Sequence, residues 1–236
     1  DFVANVSHEL KTPLTSIRMF IEMLTLGRSS SPEEVQESLQ IILRESERLG
    51  RLIDRLLDFN RLDRKTKVFN MTSMSLSEVL RETVKLYRVE EPSSQERRIK
   101  LAIEPGLPYI EGDRDALREV ILNLLANADK YSPTEKPIDV RLSREGRYLL
   151  LDVVDHGQGI PLKYHTRIFE KFYRVNDELS RQVEGTGLGL SISQQIAKAH
   201  DGVIEVDSAP GQGSCFTLRL PIASAIQEDE AREEED

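Results

Sequence analysis

The sequence has 236 residues, of which 39% are apolar and 31% charged, and its net charge is −9. This is a folded composition, long enough for one large or two small domains, and its acidity argues against a nucleic-acid binder, which presents a basic face. A single cysteine, Cys215, excludes an intrachain disulfide and a cysteine-based metal site, and no apolar run approaches the roughly 20 residues that span a bilayer.

Residues 2–26 read as a helix. Val3, Val6, Leu10, Ile17, Phe20 and Leu24 recur at alternating three- and four-residue steps, and Pro13 takes the remaining slot. The run Ser29 to Glu34 reads as a turn and a helix start, with Ser31 as N-cap, Pro32 first and Glu34 third in the helix. The second helix extends to about residue 64. Its seam is Val35, Leu39, Ile42, Ser46, Leu49, Ile53, Leu56 and Asn60, a heptad pattern. A hairpin of two such helices leaves its seam half covered. A second copy would close a four-helix bundle, so residues 1–66 predict a homodimer. The chain opens with Asp1 inside a helical pattern, which predicts a fragment of a longer protein.

Residues 65–75 are polar and aperiodic, predicting a linker over 67–75. From 76 to 224 the pattern turns to mixed α and β. Helices are expected from Leu76 to about Tyr87, from an Asp113 cap to about Lys130, and over Leu188 to Ala199. Strands are expected at Ile99–Ile103, Ile138–Leu142, Tyr148–Val154, Val203–Asp207 and Cys215–Leu220. Helices and strands do not alternate strictly, which favours an α+β two-layer sandwich over a doubly wound sheet. The acidic tail, 225–236, reads as disordered.

His8 lies two residues from the seam positions Val6 and Leu10, about 200° around the helix from each, so it points away from the seam. An imidazole nitrogen attacks phosphorus at neutral pH without first losing a proton. A carboxylate such as Glu9 on the other nitrogen would fix the tautomer. Taken alone, His8 reads as an exposed helical histidine, and only its surroundings raise the nucleophile above that.

Three glycine-containing stretches follow: Asp155 to Ile160 after a strand, Gly185 to Leu190 opening a helix, and Gly211 with Gly213 between two strands. Glycines let backbone N–H groups approach phosphate oxygens. Asn123 and Asn127 share a helix face that continues to Lys130 and Tyr131. An Asn127 amide oxygen suits Mg²⁺, and Lys130 suits a phosphate. Each stretch alone reads as readily as a tight turn, and the asparagine helix as a core helix with polar edges.

The combination is specific. Phe2 to Ile17, with Ser7-His8-Glu9-Leu10-Lys11-Thr12-Pro13 at its centre, resembles the phosphoacceptor box of sensor histidine kinases. Asn123 to Ser132 resembles their asparagine box, Asp155 to Ile160 their first glycine box, Ile168 to Arg174 their phenylalanine box, and Gly185 to Leu190 their second glycine box. The resemblance implies a dimeric helical bundle followed by a Bergerat-type ATP-binding fold. It implies that His8 is phosphorylated, that Glu9 is its acid/base partner, and that Thr12 positions a water for dephosphorylating the partner. It implies that Asp155 accepts from the adenine amino group and that Asn127 binds Mg²⁺ with Asn123 in support. Lys130, Lys171 and Arg174 would meet phosphate charge, and Tyr131, Gly157, Gly159, Ile160, Thr186, Gly187, Leu188 and Gly189 would line the ATP. Residues from about Glu170 to Gly187 would form a lid. The implied partner is a response regulator receiver domain, and the implied setting is the cytoplasmic side of an inner-membrane-anchored bacterial sensor.

Two positions depart from that pattern. His156 stands where the family has asparagine, beside the adenine aspartate, and puts ATP affinity in question there. Asp201 replaces a common glycine after the last helix. His200 is expected to stabilise that helix end, and His165 reads as a surface residue. Two rival readings remain: an ATP-driven clamp on the same nucleotide fold, which needs no His-Glu pair on a dimerising hairpin, and a non-catalytic or phosphatase-biased relative, which needs no Mg²⁺-dependent ATP affinity.

Overall fold

The computed structural model describes residues 2–27, 31–63, 67–90, 99–175 and 187–223. The expected acidic tail, 225–236, lies outside the described residues. The chain divides into two compact units, one made of the residues up to Lys67 with two short later stretches that include Lys171–Arg174 and Leu188, the other of the rest.

The first unit is a helical hairpin, α1 (Phe2–Thr25) and α2 (Pro32–Asp63). Pro13 lies inside α1, where it removes one ladder hydrogen bond without ending the helix. Gly27, at φ 62°, turns the chain out of α1, and its N–H donates to the Leu24 carbonyl at 3.1 Å. Ser31 caps α2 as expected, its Oγ accepting from the Glu34 N–H at 3.2 Å. The face of α2 buried within the hairpin carries Ser38 and Leu52. Of the expected seam, Ile42, Leu49 and Leu56 are half-buried beside them. Val35, Leu39 and Ile53 stay exposed, and so do Leu14, Ile21, Leu43 and Leu57. A long helix can satisfy one partner with one stripe and leave the next stripe bare, and a single-helix pattern does not say which is which.

The second unit begins with β1 (Thr72–Met74) and α3 (Leu76–Glu90), then β2 (Ile99–Ile103), β3 (Ile110–Gly112) and α4 (Arg114–Tyr131). It closes with β4 (Ile138–Glu145), β5 (Tyr148–Asp155), two 3₁₀ turns (Leu162–Tyr164 and Arg167–Phe169), α5 (Gly189–Ala199), β6 (Val203–Ser208) and β7 (Ser214–Pro221). Five strands form one sheet in the order β2-β4-β5-β7-β6. Its β2–β4 pair is parallel and the rest are antiparallel. Alternate residues, Ile138, Val140 and Leu142 on β4 and Leu149, Leu151 and Val153 on β5, are buried. The alternation fits a sheet covered on one face, with the helices as the second layer, as expected for an α+β sandwich. α4 contributes Leu117, Val120, Ile121, Leu124 and Leu125 to the core, each 0% exposed.

The stretch 67–75, expected to be an aperiodic linker, is partly structured. β1 pairs antiparallel with β3, and the Asn70 N–H donates to Asp113 Oδ2 at 2.8 Å. Met74 is buried. Three-residue strands are too short to show a period, and the partner of β1 lies some 40 residues away in sequence.

Candidate active site

α4 is fixed at its start by Asp113. One carboxylate oxygen accepts from the N–H groups of Asp115 and Ala116, both at 3.0 Å, and the other takes the Asn70 N–H. Burial pushes the Asp113 carboxyl up, but these N–H donors together with His200 outweigh it and hold the group below its ordinary value. The helix then presents Asn123, Asn127 and Lys130 along one side. Asn123 Nδ2 donates to Ser193 Oγ at 3.3 Å on α5, and its Oδ1 faces Gly189 at the start of that helix. Asn127 is half-buried one turn further on, and the Lys130 ammonium lies 5.0 Å from the Tyr131 ring centroid.

β5 ends at Asp155, whose side chain is almost fully buried at 4% residue exposure. Its Oδ1 accepts the Gly157 N–H at 2.8 Å. Burial raises the Asp155 carboxyl above the ordinary carboxylate value. The Gly157 N–H, the Ser214 hydroxyl and N–H, and His156 oppose that rise without cancelling it. A buried carboxylate facing its own glycine loop is a fixed acceptor for an N–H donor. Gly157 has no room for a side chain, because a Cβ there would overlap the Tyr131 carbonyl oxygen. Ser132 ends α4, and its Oγ accepts the His156 N–H at 3.2 Å. The asparagine helix and the first glycine loop are therefore locked together, which brings Tyr131, Asp155 and Gly157 into one place.

Gly159, at φ 70°, packs its backbone against the Ala209 carbonyl, and the Ile160 N–H donates to Ser208 Oγ at 2.8 Å. Past the second 3₁₀ turn, Lys171 is exposed and Arg174 half-buried. The Phe172 N–H donates to the Gly187 carbonyl at 3.0 Å, with Phe172 itself at φ 61°. Leu188 is buried. Thr186 lies outside the described residues, as do the side chains of His8 and Glu9. The backbone of both belongs to α1, and Thr12, one turn on, is exposed.

The remaining histidines read differently in three dimensions. His156 Nε2 lies 2.9 Å from Asp139 Oδ2, and Lys100 Nζ lies 3.6 Å from the other oxygen of Asp139. Burial pushes the Asp139 carboxyl up, but His156, Lys100 and Arg141 outweigh it and hold the group low. The imidazole is thus engaged along the sheet by β4. His165, expected at the surface, is half-buried, with Nε2 2.9 Å from the Ile160 carbonyl oxygen. His200 does sit at the end of α5, Nδ1 being 2.8 Å from the Ile196 carbonyl, but it is buried and also accepts the Asp113 N–H. Asp201 takes the left-handed cap geometry at φ 53°.

Sequence reasoning missed Ser132, Ser208 and Ser214. Each is a small hydroxyl at the end of an element, and only its tertiary partner distinguishes it from an ordinary cap.

Residues 1–65 match the family described as His Kinase A (phospho-acceptor) domain, and residues 112–224 the family of histidine kinase-, DNA gyrase B-, and HSP90-like ATPases. The sensor-like histidine kinase SenX3 of Mycobacterium tuberculosis is 35% identical over 236 residues, covering 100% of this chain and 57% of that protein. The chain therefore spans little more than half the length of this relative. Among solved structures, full-length ShkA in complex with AMPPNP is 26% identical with a TM-score of 0.70, covering 94% of this chain and 46% of that one. Histidine kinase ThkA in complex with the response regulator protein TrrA has a TM-score of 0.71 at 24% identity, covering 94% of this chain and 61% of that one, and shares the fold. A phosphoacceptor hairpin followed by an ATPase-type sandwich, in that order and over nearly the whole sequence, means that the chain belongs to the sensor histidine kinases.

Proposed function

We propose that this chain is the core of a histidine kinase that phosphorylates His8 from ATP and passes the phosphoryl group to an aspartate of a response regulator receiver domain. The observation that carries the nucleotide half is Asp155: a carboxylate 4% exposed, braced by the Gly157 N–H and Ser214, with α4 held against its loop. These donors offset only part of the cost of burying the carboxylate, and an adenine amino group is the kind of further donor that makes such a site useful. The phosphoacceptor half rests on the match over residues 1–65 and on the sequence spacing that sets His8 two residues from both Val6 and Leu10.

In the reaction a ring nitrogen of His8 attacks the γ-phosphorus. The bond from that phosphorus to the β,γ-bridging oxygen breaks, and ADP leaves with the electron pair. In the second step a receiver carboxylate oxygen attacks the same phosphorus and the N–P bond breaks, returning neutral imidazole. Mg²⁺ neutralises triphosphate charge when bound, and the half-buried amide of Asn127, an oxygen donor on the same face as Asn123, fits that ion. Lys130 adds a point charge. Glu9 would orient the His8 ring, and Thr12 would position a water that attacks the receiver's aspartyl phosphate, breaking the bond from phosphorus to the carboxylate oxygen and releasing inorganic phosphate, so that the chain is a phosphatase as well.

Two copies pair through residues 1–66. The bare stripe of Leu14, Ile21, Leu39, Leu43, Ile53 and Leu57 supports this, because a monomer would leave it in water. The parent protein is a membrane-anchored sensor with this core on the cytoplasmic side. Within the described residues no helix is long and apolar enough to cross a membrane, so the anchor would lie elsewhere. The reading is tested by tracing phosphate: with Mg²⁺ and γ-labelled ATP the chain should acquire label and lose it to an added receiver domain. Label released only as free phosphate, with none on either protein, would favour an ATPase clamp.

A further inference from the structure

We propose that Ser208 is a positioning residue for the nucleotide site: its hydroxyl fixes the β6–β7 turn to the loop 156–160 and so sets the place of the glycine loop beside the adenine acceptor Asp155. The proposal rests on the ATP reading above and deepens it.

Ser208 is the last residue of β6 and pairs in register with Ser214 on β7. A serine hydroxyl has one proton to give and two lone pairs. One lone pair takes the Ile160 N–H at 2.8 Å. The Gly213 carbonyl, at 2.7 Å, takes the proton, and Ser214 Oγ lies 3.1 Å away on the remaining side. Ser214 in turn bonds the Asp155 carboxylate, so two adjacent hydroxyls connect the end of the glycine loop to its buried acid.

The backbones around this pair are in close contact. The Gly211 N–H donates to the Gln158 carbonyl at 2.6 Å, and side chains at Gly159 and Gly213 would collide with the Ala209 and Asp155 carbonyls. Glycine permits this approach but does not fix it, because it is the least restrained residue. Ser208 supplies the restraint, holding both sides with one atom. Without it the Ile160 N–H and the Gly213 carbonyl lose their partner, and the loop 156–160, which follows the strand-held Asp155, can shift relative to the β6–β7 turn.

The full chain is compared as wild type, Ser208→Ala and Ser208→Thr, using ADP titration and ATP-dependent autophosphorylation. Val79→Ala, which opens a cavity in the α3 core, serves as a control for lost stability. Ser208→Ala should weaken ADP binding and raise KM for ATP by about five- to fiftyfold, with kcat unchanged at saturation. Ser208→Thr, which keeps the hydroxyl, should restore both. Should the alanine variant not fold, Ser208→Cys, similar in shape but a weak hydrogen-bonding group, should give the same KM shift. Unchanged KM, a fall confined to kcat, or an equal KM rise in Val79→Ala would each overturn the proposal. A wild type that binds no ADP would instead overturn the nucleotide reading, and the proposal with it.

Discussion

The Asp113 N–H donates to His200 Nε2 at 2.9 Å, so the first turn of α4 is joined to the last turn of α5 through one buried imidazole. His200 Nδ1 reaches the Ile196 carbonyl, and Phe69 packs edge-on against the ring at 5.4 Å between centroids. His200→Ala should therefore leave a buried N–H and a cavity, lowering stability by about 2–4 kcal/mol in urea unfolding. ADP affinity should stay within about twofold, since a net hydrogen bond lost elsewhere does not touch Asp155. An unchanged unfolding midpoint would count against the bridge.

Asp155→Asn separates binding from folding. The ionised carboxylate is disfavoured by burial, so a neutral amide should leave stability within about 1 kcal/mol. Binding of ADP should weaken by about 10- to 150-fold, the worth of a hydrogen bond to a charged acceptor. Calorimetry on the same sample reads both.

The pH dependence has two opposite signs. Asp155 has a raised carboxyl, so its contribution to stability is full below the ordinary carboxylate value and is lost as pH rises through the raised one. ADP binding needs the ionised acceptor, so affinity should fall on acidification while pH is still above the ordinary value of about 4. Asp113 and Asp139 are lowered. Their contributions are full above that value and are lost only as pH falls through their lowered ones. Titration of ADP from neutral pH downward should thus show lost affinity before circular dichroism shows lost structure. Coincident loss would contradict the assignment.

Gly211 and Gly213 both have positive φ, 76° and 78°, yet their surroundings differ. A Cβ at Gly211 meets open space, so Gly211→Ala should cost about 1–2 kcal/mol, the backbone term alone. At Gly213 it meets the Asp155 carbonyl, and the clash should add at least ~2 kcal/mol in unfolding experiments and weaken ADP binding. Equal effects in the two variants would show that the turn and the loop are not in close contact.

Much of this was legible in the sequence for definite physical reasons. Long elements such as α2 and α4 carry several turns of period, and caps such as Ser31 and Asp113 mark their starts. The Asp155 loop was readable because glycines cluster where backbone must approach backbone. What was not legible depends on distant partners. β1 and β3 are three residues each and acquire meaning only by pairing. The phase of α2, where Ser38 and Leu52 turned inward and Leu39 outward, depends on which of two partners each stripe meets. His165 and His200 looked like surface and terminus until Ile160 and Asp113 came to face them. Ser208 had no motif at all.

The most direct test of the central claim is to incubate the chain, beside His8→Gln, with Mg²⁺ and γ-labelled ATP, then to challenge the label with acid and alkali. Phosphohistidine is acid-labile and alkali-stable, so the account predicts label of that kind on the wild type and none on His8→Gln. Label that survives acid, or that persists in His8→Gln, would contradict phosphorylation of His8.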